Sequence, residues 1–157
     1  MKRRRKRPKS MRVMHLWSFS EVTKAVPYLR SITSSLREHW LDVLTTQRQL
    51  DRATQTKSPA KREQILEEET RKDERQRAQN KFEEALEELN RIDVFLLDPV
   101  RGTALLPFRK EDDLAWYVFD LFTSAGLVGW RLHNDPIDEC RPLQVLQDAE
   151  AKNAVTS

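Results

Sequence analysis

The apolar residues of this 157-residue chain change their repeat once, near residue 93, and that change fixes the order of its parts. Before it, they recur every three or four positions, the period of a helix face. After it, they alternate or crowd into short runs rich in branched and aromatic side chains, the habit of strands. Helices first and strands after predict an α+β fold: a long antiparallel helical hairpin, coiled-coil-like, followed by a small antiparallel β meander.

Val22, Val26, Leu29, Thr33, Leu36, Trp40, Val43, Gln47 and Leu50 follow one another at alternating steps of four and three, and Ala25 and Ile32 widen the stripe. Ser20 is the expected N-cap, with Glu21 in the first turn and Phe19 stapled ahead of it. Pro27 inside the pattern predicts a kink or a late start near Ala25–Pro27. Lys24, Arg30, Arg37 and Glu38 fall on the polar face. Residues 51–61 read as a turn, with Ser58 and Pro59 as cap and first position of a second helix, 59–92. Phe82, Ala85, Leu86, Leu89 and Ile92 stripe its second half, whereas 67–81 holds a single apolar residue, Ala78.

Helices joined by a short turn lie antiparallel. A turn centred near residue 57 sets Leu50 opposite Ile65, Leu29 opposite Leu86 and Val26 opposite Leu89. Trp40, Val43 and Leu44 then face the charged middle of the second helix. That mismatch makes them the candidate interface for another helical protein or for a second copy in a homodimer.

Strands are expected at 94–97, 103–108, 114–122 and 127–133, joined by DPVRG, RKEDD and TSAG, connectors short enough for a meander. Within DPVRG, Asp98 bonds the backbone ahead of it, Pro99 presets the turn and Gly102 supplies a positive φ. Pro107 places its part of the second strand at an edge or an end. One domain therefore spans 15–143, with the hairpin at 20–92 and the meander at 94–133. A disordered basic arm, 1–14, precedes it and a frayed polar tail, 144–157, follows.

The net charge of +3 conceals a division. Eight Lys or Arg and no acid occupy residues 1–12, so the remainder is acidic by five. Such an arm repays no ordering entropy by itself and is suited to nucleic acid through Lys2, Arg3, Arg4, Arg5, Lys6, Arg7 and Lys9. No aromatic side chain interleaves it for base stacking, and a start at Met11 or Met14 would remove it. No apolar run approaches membrane length or supplies the apolar region that a secretory signal needs, and the one cysteine, Cys140, has no partner for an internal disulfide. A reducing, cytoplasmic setting is the expectation.

Three glycines, Gly102, Gly126 and Gly129, do not make a phosphate loop, and no serine stands in a nucleophile context. His133, Asp135, Asp138 and Cys140 lack any familiar metal spacing, and His39 beside Trp40 reads as an ordinary helix residue. No catalytic residue, metal or cofactor is assigned. Arg131, His133 and Arg141 form a candidate anion patch beside the last strand. Ion pairing with Asp120, Asp135 or Asp138 is the competing fate of those cations.

Three stretches carry a family resemblance. FSEVTKAVPYLR at 19–30, VFLLDPVRGTALLP at 94–107 and WRLHNDPIDECRPL at 130–143 occur in the order and spacing of the bacterial domain of unknown function 2203, which the chain resembles over residues 15–143. The shared positions are Glu21, Pro27, Asp98, Pro99, Gly102, Pro107, Trp130, Arg141 and Pro142. The resemblance also marks departures. Leu106 stands where the family tends to place an acid before the proline. Val118–Phe119 stands for a Cys-Trp pair, TSAG for a Gly-Glu turn, and Trp130–Arg131 for Trp-His. It implies no established activity. The expectation is a non-enzymatic hairpin protein acting through protein–protein contacts. The alternatives are a nucleic-acid-associated protein working through the arm, and an enzyme or small-anion binder with a site between sheet and hairpin.

Overall fold

The computed structural model describes residues 13–55, 61–144 and 146. The basic stretch 1–12, Ser58 and Pro59, and residues 147–157 lie outside them. Two helices, α1 (Phe19–Gln55) and α2 (Arg62–Arg91), precede four strands, β1 (Phe95–Asp98), β2 (Thr103–Lys110), β3 (Asp113–Asp120) and β4 (Leu127–Leu132). The sheet is an antiparallel meander in the order β1-β2-β3-β4. The expected α+β hairpin and meander is the observed fold.

α1 starts earlier than its sequence suggests. Ser18, not Ser20, is the cap. Its hydroxyl accepts the Glu21 N–H at 3.2 Å, and the Glu21 carboxylate accepts the Ser18 N–H at 3.1 Å. This reciprocal box satisfies two backbone donors at once, which Ser20 cannot do, because Thr23 rather than an acid lies three residues beyond it. Bonds from the Ser18 backbone and hydroxyl, and then from His15, hold the Glu21 carboxyl below the usual carboxylate range. Nor does Pro27 delay the helix, which runs from Phe19 without a break. The proline leaves the Thr23 carbonyl without its helical donor.

At 37 residues, α1 is about 55 Å long at 1.5 Å per residue. Its buried side chains are Val22, Leu29, Ile32, Thr33, Leu36 and Val43; those of α2 are Ala78, Phe82 and Leu89. The Trp40 ring lies 5.1 Å from that of Phe82. At the base, Tyr28 donates to Glu88 as the expected pairing allows; farther out, Trp40 meets Phe82 rather than the charged stretch, and Ile65, set opposite Leu50 by the sequence, is exposed. α1 continues to Gln55, into the stretch 51–61 expected as a turn, and α2 starts at Arg62 rather than at residue 59. From Leu44 onward in α1, and before Ala78 in α2, no described residue is fully buried. The seam there is polar. Arg71 donates to Gln49 and to Glu74, each at 3.2 Å, and the buried Arg75 Nε has no partner.

α2 ends in a Schellman turn. Asp93 takes the left-handed conformation (φ 57°), and the N–H groups of Val94 and Asp93 return to the carbonyls of Leu89 and Asn90. The buried Asp93 carboxylate also accepts the His15 N–H at 2.8 Å, and the Trp17 N–H reaches the Pro107 carbonyl at 2.8 Å. The segment ahead of α1 is thus tied both to the end of α2 and to β2.

One sheet face, with Ala104, Leu106, Phe108, Ala115, Tyr117, Phe119 and Trp130, joins the helix stripes in a single core. Phe108 and Tyr117 stack at 4.0 Å between centroids. Pro107 pairs with Trp116, past the point where β1 has ended, so its missing N–H faces no strand. The domain also extends beyond residue 143. Leu146, expected in the frayed tail, is 5% exposed and belongs to the core. Arg141 bridges to Trp130 at the edge of β4, with N–H to carbonyl distances of 3.0 and 2.7 Å in the two directions. This close approach needs Gly129, because a Cβ there would collide with the Arg141 carbonyl and the Cys140 sulfur.

Candidate functional site

The most motif-like stretch, DPVRG, folds as its chemistry dictates. Asp98 Oδ1 accepts the N–H of Val100 at 2.9 Å and of Arg101 at 3.2 Å, and Gly102 sits at φ 69°. The turn is bolted to α1. Arg37 Nε donates to the Val100 carbonyl at 2.9 Å, and its guanidinium lies 5.3 Å from the centre of the Phe122 ring. One helical repeat earlier, Arg30 donates to three carbonyls of the β3–β4 turn, those of Leu121 (3.3 Å), Thr123 (2.9 Å) and Ser124. Both arginines had the pattern of a solvated face. Their spacing of seven, which puts them on one side of α1, was the signal that they act together. Leu106, in β2 opposite Tyr117, is fully buried, so the position where the resemblance implies an acid is core.

The three cations beside β4 do not share one environment. Arg141 is engaged by Asp135 through two bonds, 2.8 and 3.0 Å. This pairing holds the Asp135 carboxyl below its ordinary range and raises Arg141. Arg131 is 6% exposed and donates to the Asp135 carbonyl, while its Nε has no partner. His133 Nδ1 accepts from the Trp116 indole at 3.3 Å. Asp135 already answers Arg141 with a carboxylate, the fate expected in competition with a bound anion. Burial pushes the Cys140 thiol up, against a role as a thiolate at neutral pH. Among the described residues no group of three His, Cys, Asp or Glu is placed to hold a metal ion, and no helix is long and apolar enough to cross a membrane. Clefts lie at the closing loop, by Asp135, Cys140 and Arg141, and at the turns, by Val100, Asp120 and Phe122.

The three seam residues separate. Val43 is buried and Trp40 is half-buried against Phe82, so their apolar surface is largely met within the hairpin. Leu44 remains 37% exposed. Farther out on α2, Ile65 is 48% and Leu66 53% exposed. The sequence pattern hid these two, because it paired Ile65 with Leu50 and gave Leu66 no place. The residues of the nucleic-acid arm, Lys2 to Lys9, lie outside the described residues.

The outer arm therefore joins exposed apolar side chains to a seam with no buried core. A family model described as an uncharacterized conserved protein, DUF2203, matches residues 15–119. The match takes in both helices, β1, β2 and all but the last residue of β3, and stops before the closing segment 130–143. A search of curated proteins and one of solved structures gave no match.

Proposed function

The chain belongs to the uncharacterized conserved family DUF2203, and from that premise we propose that it acts as an interaction protein whose outer helical arm docks a protein partner. The observation that carries this reading is the exposure of Ile65 and Leu66 on a stretch of hairpin with no buried residue. Helices rarely persist on propensity alone; in proteins an apolar face packed on a neighbour supplies most of their stability. Here the base of the hairpin packs on the sheet, and the outer arm offers its apolar residues outward. Leu44 belongs to the same arm. Trp40 and Val43 contribute by stiffening its root.

The test is a photo-crosslinking residue placed at Leu66 of the full chain in its native cell. An adduct at this position, without one at an exposed sheet position such as Val128, is the expected result. No adduct at either position would end this reading.

A second reading rests on the eight Lys or Arg of residues 1–12. Neutralising phosphates with such a stretch gives sequence-independent binding that weakens steeply with salt. It acts through a separate part of the chain and does not compete with the arm.

A further inference from the structure

We infer that the partner of the outer arm is a second copy of this chain, its α2 packed antiparallel to the first across Thr70. The inference rests on the docking reading above and specifies its occupant. Two observations lead to it. The first is the exposed pair Ile65 and Leu66 near the start of α2. The second is the charge order around it. Residues 61–69 carry two bases and four acids, a net −2, whereas residues 71–79 carry four bases and two acids, a net +2.

A helix with opposite charge on its two halves repels a parallel copy in register and attracts an antiparallel one. With Thr70 on the two-fold axis, each acidic half lies on the other copy's basic half, and the contact is made twice. Each Ile65–Leu66 step then falls on residues 74–75 of the other copy, between the exposed Lys72 and Arg77, whose long aliphatic stems flank it. The arms overlap over residues 62–78, about 25 Å at 1.5 Å per residue, and two helices side by side are about 20 Å wide. Each copy contributes about 500 Å², giving about 1,000 Å² in total, the least that a specific interface needs. The predicted complex is therefore weak, reversible and salt-sensitive. A heterologous helical partner has no reason to match this charge order, whereas a second copy matches it by symmetry.

Analytical ultracentrifugation of the full chain tests this, from low micromolar to near-millimolar concentration, with circular dichroism to confirm the helices of each variant. A monomer–dimer equilibrium that weakens with salt is expected. Ile65→Ser with Leu66→Ser raises the dissociation constant about tenfold, a change of about 1.4 kcal/mol. Glu67→Lys with Glu69→Lys, which makes both halves positive, does the same. Adding Lys72→Glu and Arg77→Glu exchanges the two signs and restores the dimer. A wild-type chain that stays monomeric throughout overturns the inference, and so does a dimer that the sign exchange fails to restore. If crosslinking at Leu66 captures a protein of another mass while the chain stays monomeric, the docking reading stands and the second copy falls.

Discussion

The Trp40 and Phe82 rings meet across the hairpin at 5.1 Å between centroids, with their planes 49° apart. This is the outermost aromatic contact between α1 and α2, and the buried core ends close by, at Val43 and Ala78. Trp40→Ala therefore acts within the chain. It should cost about 3 kcal/mol in chemical unfolding, the lower end for truncating a packed aromatic. Amide exchange should quicken in the outer arm more than in the sheet.

The box between Ser18 and Glu21 makes the start of α1 sensitive to acid. The folded state lowers the Glu21 carboxyl. Its contribution is thus present in full above the unfolded value and is lost as pH falls through the folded one. Unfolding midpoints measured from pH 7 down to pH 3 should decline more steeply for the wild type than for Glu21→Gln. Ser18→Ala removes the hydroxyl half of the box and should cost about 1 kcal/mol at neutral pH.

Arg30 holds the β3–β4 turn by three carbonyls. Replacing it with Met keeps the stem and removes the donors. A loss of about 2 kcal/mol is expected, in the range of hydrogen bonds to charged groups, with exchange quickened at residues 121–126. Arg37→Met should act in the same way on the 98–102 turn, through Val100.

Deleting residues 1–12 separates the second functional reading from the first. Binding to mixed-sequence duplex DNA, followed by fluorescence anisotropy, should disappear with the stretch and fall with salt in the intact chain. Self-association through the arm should be unchanged by the deletion.

Gly126 lets the same turn lie on α1. At φ 83°, with a Cβ position 2.7 Å from Val26 Cγ1, it has both a conformational and a steric reason to be glycine. Gly126→Ala should cost about 2 kcal/mol, within the range for a strained backbone site, and a thermal melt would show it.

The element order and all four strands were legible because each depends on local period: three and four for the stripes of α1 and α2, two for LAWYVFDLF. The features that went unread depend on longer reach. Ser18 was overlooked because Ser20 also precedes the stripe, and only the carboxylate of Glu21 three residues on decides between them. The partner of Trp40 was misplaced because it was set by a turn centred near residue 57, while the contact that reveals it, Trp40 on Phe82, spans 42 positions. In the candidate sites, the mismatch grouped Leu44 with Trp40 and Val43, of which only Leu44 is exposed. The exposure of Ile65 was not legible, since an isoleucine looks the same whether it is buried or offered to a partner. The pairing of Arg141 with Asp135 was foreseeable as chemistry, but which acid would win was settled only by the loop's path.

The small side of Gly129 has a meaning for the free margin of the sheet. Because nothing projects there, residues 140 and 141 lie along β4. Arg141 takes the outward N–H and carbonyl of Trp130, and Asp135 takes the N–H of Leu132. A foreign strand arriving at that margin finds these backbone groups already occupied. Exposed edges of this kind are where sheets join chain to chain and aggregate. With this one capped, β4 is a poor template for indiscriminate strand addition.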